Sequence, residues 1–137
     1  MTYLDILEAQ LIVDEGKRNK MYMDSMYVPT IGIGHNLRDV PISDRAIRVI
    51  FEDDVAAAES DARRLVQSFD NLTDARKAVV VNMVFNLGAT KFAKFRNTIA
   101  HIDVGLYDAA ADGMMDSLWA QQVGQRAVRL ANAMRIG

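Results

Sequence analysis

Near the start of the chain, Glu15 is followed after eight residues by Asp24 and after five more by Thr30. One carboxyl able to give a proton, a second able to hold or activate water, and a hydroxyl to orient that water are what glycosidic bond hydrolysis requires. Asp14 and Glu15 close an apolar periodic segment that Gly16 stops. At a helix C-terminus the dipole disfavours a carboxylate by about 0.3–1 kcal/mol and raises a carboxyl pKa, the direction a general acid needs. A residue that breaks a local rule without a local gain marks a place to look for chemistry. Taken singly, each group has a plain reading: Glu15 as a surface carboxylate beside Lys17 or Arg18, and Asp24 and Thr30 as turn and strand residues.

The elements that would carry these groups are legible in the periodicity. Tyr3, Leu4, Ile6, Leu7, Leu11 and Ile12 recur at steps of three and four, predicting an amphipathic helix from about Thr2 to Glu15. Met21–Asp24 and Tyr27–Ile33 then read as two strands of a hairpin, with Gly32 and Gly34 closing it. The hairpin would bring Asp24 and Thr30 together while Glu15 approaches from the helix end. Ser43 is an N-cap for a long helix to about Ser68, striped by Ile47, Phe51, Val55, Ala58, Ala62 and Leu65. Thr73 caps a helix from Asp74 to Leu87 that is apolar nearly all round, as in the middle of a bundle, and Gly88 stops it. Shorter segments follow at Thr90–Phe95, Asn97–Ile102, Leu106 to about Leu118 and Val123–Met134. The class is mainly α with one small β-hairpin.

Glu15, Asp24 and Thr30, followed by IGIGH, resemble the phage-type lysozymes of glycoside hydrolase family 24, the family of the T-even phage lysozymes. AVVVNMVFNLG from Ala78 to Gly88, KFRNT from Lys94 to Thr98, the segment around Trp119, and Arg126 with Arg129 extend the resemblance over most of the chain. It implies two lobes joined by the long helix, with a cleft between them. The small lobe would span about 16–60, with its hairpin at about 20–34, and the helical lobe about 1–15 and 61–137. Only seven residues separate His35 from Ser43, where relatives carry a longer insertion, so the small lobe is reduced.

The activity implied is that of a muramidase cutting the β-1,4 bond between N-acetylmuramic acid and N-acetylglucosamine, with inversion. Glu15 would be the acid, and Asp24 with Thr30 would hold the water. Asn36, Phe85 and Thr98 match saccharide-contacting positions, Gly113 stands where relatives offer an asparagine, and Asp54 is the implied partner of His35. Arg126 is implied to pair with Glu15, and Arg129 with Asp14. The alternative is a lysozyme-like module that grips peptidoglycan without efficient cutting; the presence of both Glu15 and Asp24 favours the enzyme.

Composition bounds the rest. At 137 residues and half hydrophobic, the chain fits one domain with a substantial core. It has no cysteine, which removes disulfides and cysteine-based metal sites, and His35 among scattered carboxylates gives no metal pattern. Sixteen basic against eighteen acidic residues argue against a nucleic-acid partner. Residues 1–70 carry eight basic and thirteen acidic groups, and 71–137 eight and five, an asymmetry that ordinary solvated surface explains. The start, with Asp5 and Glu8, does not read as a signal peptide, and no apolar run approaches a membrane span. The expectation is a cofactor-free monomer made in the host bacterial cytoplasm. It would reach the cell wall from the periplasm after release by a holin, a step the family resemblance implies.

Overall fold

A computed structural model describes residues 1–137. The chain forms two compact units, residues 1–48 and 49–137.

In the first unit, Thr2 starts helix α1 (Tyr3–Glu15) with a capping box: its hydroxyl accepts from the Asp5 amide while the Asp5 carboxylate takes the Thr2 amide at 2.7 Å. These bonds hold the Asp5 carboxyl below its usual pKa. Gly16, at φ 81°, returns its amide to the Ile12 carbonyl and ends the helix. No side chain of α1 is buried, so its apolar stripe stays on the surface. Strands β1 (Arg18–Met23), β2 (Pro29–Gly32) and β3 (His35–Asn36) form an antiparallel sheet in that order. Tyr22 faces Thr30 and Met23 faces Pro29 across β1 and β2; Thr30 faces Asn36 and Ile31 faces His35 across β2 and β3. The sequence predicts a hairpin and misses β3, which is two residues long and too short to show a period.

Helix α2 (Asp44–Leu65) starts where expected, with the Ser43 hydroxyl accepting from the Ala46 amide. It ends three residues before Ser68. The amide and hydroxyl of Ser68 both donate to the Asp103 carboxylate, at 3.0 and 2.8 Å, which turns the chain into a 3-10 segment at Phe69–Asn71. Helix α3 (Asp74–Leu87) has the bounds read from sequence, capped by Thr73 and closed by Gly88 at φ 81°. Helices α4 (Ala89–Phe92), α5 (Arg96–Asp103), α6 (Tyr107–Met115), α7 (Leu118–Val123) and α8 (Gln125–Ile136) complete the second unit.

The helix expected from Leu106 to about Leu118 stops at Met115, and a short helix that the sequence reading did not assign, α7, follows it. Ser117 donates to the Met114 carbonyl at 2.7 Å and accepts from the Ala120 amide at 3.1 Å, so it closes α6 and caps α7. The hydrophobic core is drawn entirely from residues 58–134. Met83 and Val80 of α3, Phe92, Ile102, Met114 and Met134 are fully enclosed. α6 packs on α5 and α8, and α3 on α8. No helix is long and apolar enough to cross a membrane.

Candidate active site

The first unit holds Glu15, Asp24 and Thr30 on three different pieces of backbone. Glu15 is the last residue of α1, and its carbonyl accepts from the Tyr22 hydroxyl at 3.3 Å, which ties the helix end to β1. Arg18 stacks over the same Tyr22 ring, 4.5 Å from its centre. The plain reading of Glu15 as an ion-paired surface group thus loses one of its partners, because the Arg18 guanidinium is used on the tyrosine.

Gly34 fixes where the Glu15 side chain lies. A Cβ at Gly34 would sit 3.0 Å from both Cγ and Oε2 of Glu15, so the carboxylate rests in the space a larger residue would fill. Gly34 and Gly32 share the left-handed backbone, at φ 69° and 67°, yet nothing lies within 4 Å of a Cβ at Gly32. The two glycines therefore separate strain from crowding. Gly32→Ala and Gly34→Ala should each lose roughly 1 kcal/mol or more of stability through the backbone, measured by thermal unfolding. Only Gly34→Ala should also lose most hydrolytic activity by moving Glu15. Equal activity in the two variants would mean that the contact at Gly34 does not set the acid's position.

Asp24 is held by its own turn. Its Oδ1 accepts from the Met26 and Val28 amides at 2.8 and 2.9 Å, leaving Oδ2 with no protein donor. Its amide donates to the Val28 carbonyl, and the Tyr27 amide donates to the Asp24 carbonyl, both at 3.0 Å. This three-residue loop places Tyr27 in the left-handed region at φ 59°, the only non-glycine residue there. That conformation costs a side chain other than glycine about 1–2 kcal/mol. Thr30 is buried, and its hydroxyl donates to the Val28 carbonyl at 2.8 Å. With its proton so placed, the Thr30 oxygen has only acceptor capacity left.

The Asn36 side chain is used by the turn after β3, with one N–H of its amide left over. Its Oδ1 accepts from the Arg38 and Asp39 amides at 2.9 and 3.0 Å, and its Nδ2 donates to the Asp39 carboxylate at 3.1 Å. His35 has a buried Nε2 with no hydrogen-bond partner.

In the second unit, Phe85 is half-exposed and lines a hollow of about 300 Å³ with Asp54, Ala58, Asp61 and Val84. Thr98 is buried in the wall of a larger cleft of about 560 Å³, with Phe95, Trp119 and Gly113 among its neighbours and Lys91, Lys94 and Arg96 around it. A Cβ at Gly113 would lie 2.5 Å from the Thr98 hydroxyl oxygen. The absence of a side chain at 113 is therefore matched by Thr98, whose hydroxyl occupies the space. Arg126 donates from Nε and Nη2 to Asn82 Oδ1, at 3.0 and 2.7 Å, and Trp119 Nε1 donates to Asn86 at 2.8 Å. Sequence reading missed both asparagines. Their signal was available as two amides four apart, hence on one face, of an otherwise apolar helix. It also missed Tyr22 and Gly34, whose importance arises only from contacts made on folding. No group of histidine, cysteine and carboxylate side chains is arranged to hold a metal.

The comparisons with known proteins identify the family. The family model described as phage lysozyme matches residues 13–134. The chain is 26% identical over 160 residues to the "probable T4-type lysozyme 2" of Dictyostelium discoideum, covering 96% of this chain and 94% of that protein. It is 27% identical to the endolysin of Salmonella phage P22, covering 77% and 75%. It is also 28% identical to the pre-baseplate central spike protein Gp5 of Enterobacteria phage T4, where 90% of this chain matches but only 26% of that larger protein.

Proposed function

We propose, from the premise that the chain belongs to the phage lysozyme family and is a glycoside hydrolase that lyses peptidoglycan, that it cuts the β-1,4 bond between N-acetylmuramic acid and N-acetylglucosamine with inversion. The observation that carries this reading is the way the first unit prepares its three oxygen-bearing groups. Glu15 is lodged against Gly34, Asp24 presents an uncommitted Oδ2, and Thr30 has only acceptor capacity to offer.

In the proposed step, the Glu15 carboxyl protonates the glycosidic oxygen as the bond to the anomeric carbon breaks. A water attacks that carbon from the opposite face, giving a proton toward Asp24 Oδ2 while it donates its other hydrogen to Thr30 Oγ1. An inverting reaction requires the two carboxyl groups about 6.5–9.5 Å apart, so that water fits between sugar and base. Phe85 and Thr98 are proposed glycan contacts. Asn36, with its side chain used by the turn, is proposed to act through the shape of that turn. His35 with Asp54, and Arg126 and Arg129 with Glu15 and Asp14, are proposed supporting pairs; the lobe limits implied by the resemblance are likewise proposed. Host lysis after holin-dependent release into the periplasm, by a monomer that needs no cofactor or nucleic acid, completes the reading.

Clearing of outer-membrane-permeabilised Gram-negative cells, with chromatography and anomeric analysis of the products from purified peptidoglycan, tests it. Products ending in reducing N-acetylmuramic acid of inverted configuration are expected. Products ending in N-acetylglucosamine, or binding without cleavage, would overturn it. Thr30→Val tests the water's orientation. Valine suits a strand, and the Val28 carbonyl keeps the Asp24 amide as donor, so the fold should hold. Turnover should fall about tenfold or more for one lost hydrogen bond in the transition state; undiminished turnover would remove Thr30 from the mechanism.

A further inference from the structure

Tyr27 is strained and its ring is not used by the fold. The loop closing β1 and β2 demands a left-handed residue at this position, where glycine or asparagine is the easy choice. The chain instead has a tyrosine whose side chain is 82% exposed and enters no hydrogen bond, ion pair or ring contact. A lone exposed aromatic needs no explanation. A strained one does, because the turn's backbone bonds would form as well around a glycine and no contact of the ring itself offsets the added cost.

The position of the residue says where the compensation lies. The two amides that fix the Asp24 carboxylate, those of Met26 and Val28, flank Tyr27 directly, and the Tyr27 amide itself bonds the Asp24 carbonyl. A hydrogen-bonded turn of this kind keeps its first and fourth Cα atoms within about 7 Å. The ring is therefore carried on the same hydrogen-bonded loop as the carboxylate. A pyranose ring offers an apolar face of C–H groups as well as polar edges, and tyrosine supplies a flat, rigid, amphipathic surface for it at low entropic cost.

We infer that Tyr27 is a substrate-binding platform: its ring stacks on the saccharide next to the one held at Asp24, and the strained turn fixes the ring's direction. The inference rests on the glycan-hydrolase reading above and adds a contact to it. Because the turn stores strain that the ring does not repay until substrate arrives, stability and binding are opposed at this one residue.

Three variants separate the roles. Tyr27→Gly relieves the backbone and removes the ring, Tyr27→Asn tolerates the left-handed conformation without a ring, and Tyr27→Phe keeps the ring. On peptidoglycan, the glycine and asparagine variants should raise KM about three- to tenfold with kcat within about twofold of wild type, and the phenylalanine variant should keep both within about twofold. Tyr27→Gly should melt at or above the wild-type temperature. Unchanged KM in the glycine and asparagine variants would overturn the inference, as would a lowered melting temperature in Tyr27→Gly that Tyr27→Phe does not share, since the ring would then serve the fold. If the wild type fails to cut, the proposed reaction is wrong, but cosedimentation of the same variants with insoluble peptidoglycan still decides the platform. Weaker binding without the ring sustains it; equal binding overturns it.

Discussion

Glu15→Gln is expected to fold and melt like the wild type while losing about 100- to 10,000-fold in hydrolysis, the range that general acid catalysis supplies. The substitution preserves the shape of the side chain, so the fit against Gly34 and the backbone link from Tyr22 to residue 15 both survive. Only the transferable proton is lost. Without it the leaving oxygen departs as an alkoxide, and the barrier rises accordingly. The measurement pairs a melting curve with the rate of reducing-end release from purified peptidoglycan. Retention of more than a small fraction of the rate would assign the acid elsewhere, and loss of rate together with loss of fold would show that Glu15 holds the α1–sheet junction together.

Asp24→Asn should do comparable damage by a different route. The two amides that clasp Oδ1 will hold the oxygen of an asparagine in the same place, because a backbone N–H donor selects the carbonyl end of the amide. The NH₂ group then stands where Oδ2 stood, offering donors where an attacking water needs an acceptor. The turn, and Tyr27 on it, should be unmoved, so KM should change little while kcat falls about 100-fold or more. A parallel rise in KM would mean that the charge of Asp24 also contributes to binding. A variant that keeps wild-type kcat would falsify the role given to Oδ2.

What could be read ahead of the structure was what local chemistry dictates. Thr73 and Gly88 bracket α3 because a hydroxyl cap and a left-handed glycine are sufficient signals on their own. Ser43 marked its helix for the same reason, whereas α1 was read from its apolar period and its Thr2 capping box was not. The long helix was read too far because its end is set by Asp103, thirty-five residues away, taking the Ser68 amide. Helix α6 was read about three residues too far and α7 was passed over, because Ser117 sits inside an apolar rhythm that continues across it. At the candidate site, the spacing from Glu15 to Thr30 named the groups proposed to react. Gly34 and Tyr22, which crowd or hold Glu15, were silent, since a glycine and a tyrosine carry no sign of what will be folded against them.

The bond from Trp119 to Asn86 has a spectroscopic consequence. Trp119 is the only tryptophan, is 4% exposed, and belongs to the unit formed by residues 49–137. Its emission therefore belongs to that unit: it reports when the α3 helix loosens and water reaches the indole. The tyrosines do the opposite service in part, since Tyr22 and Tyr27 lie in the first unit. Following the two chromophores through one denaturant titration would give two transitions from one unmodified protein. Their separation along the axis is a direct measure of how cooperatively the two units unfold.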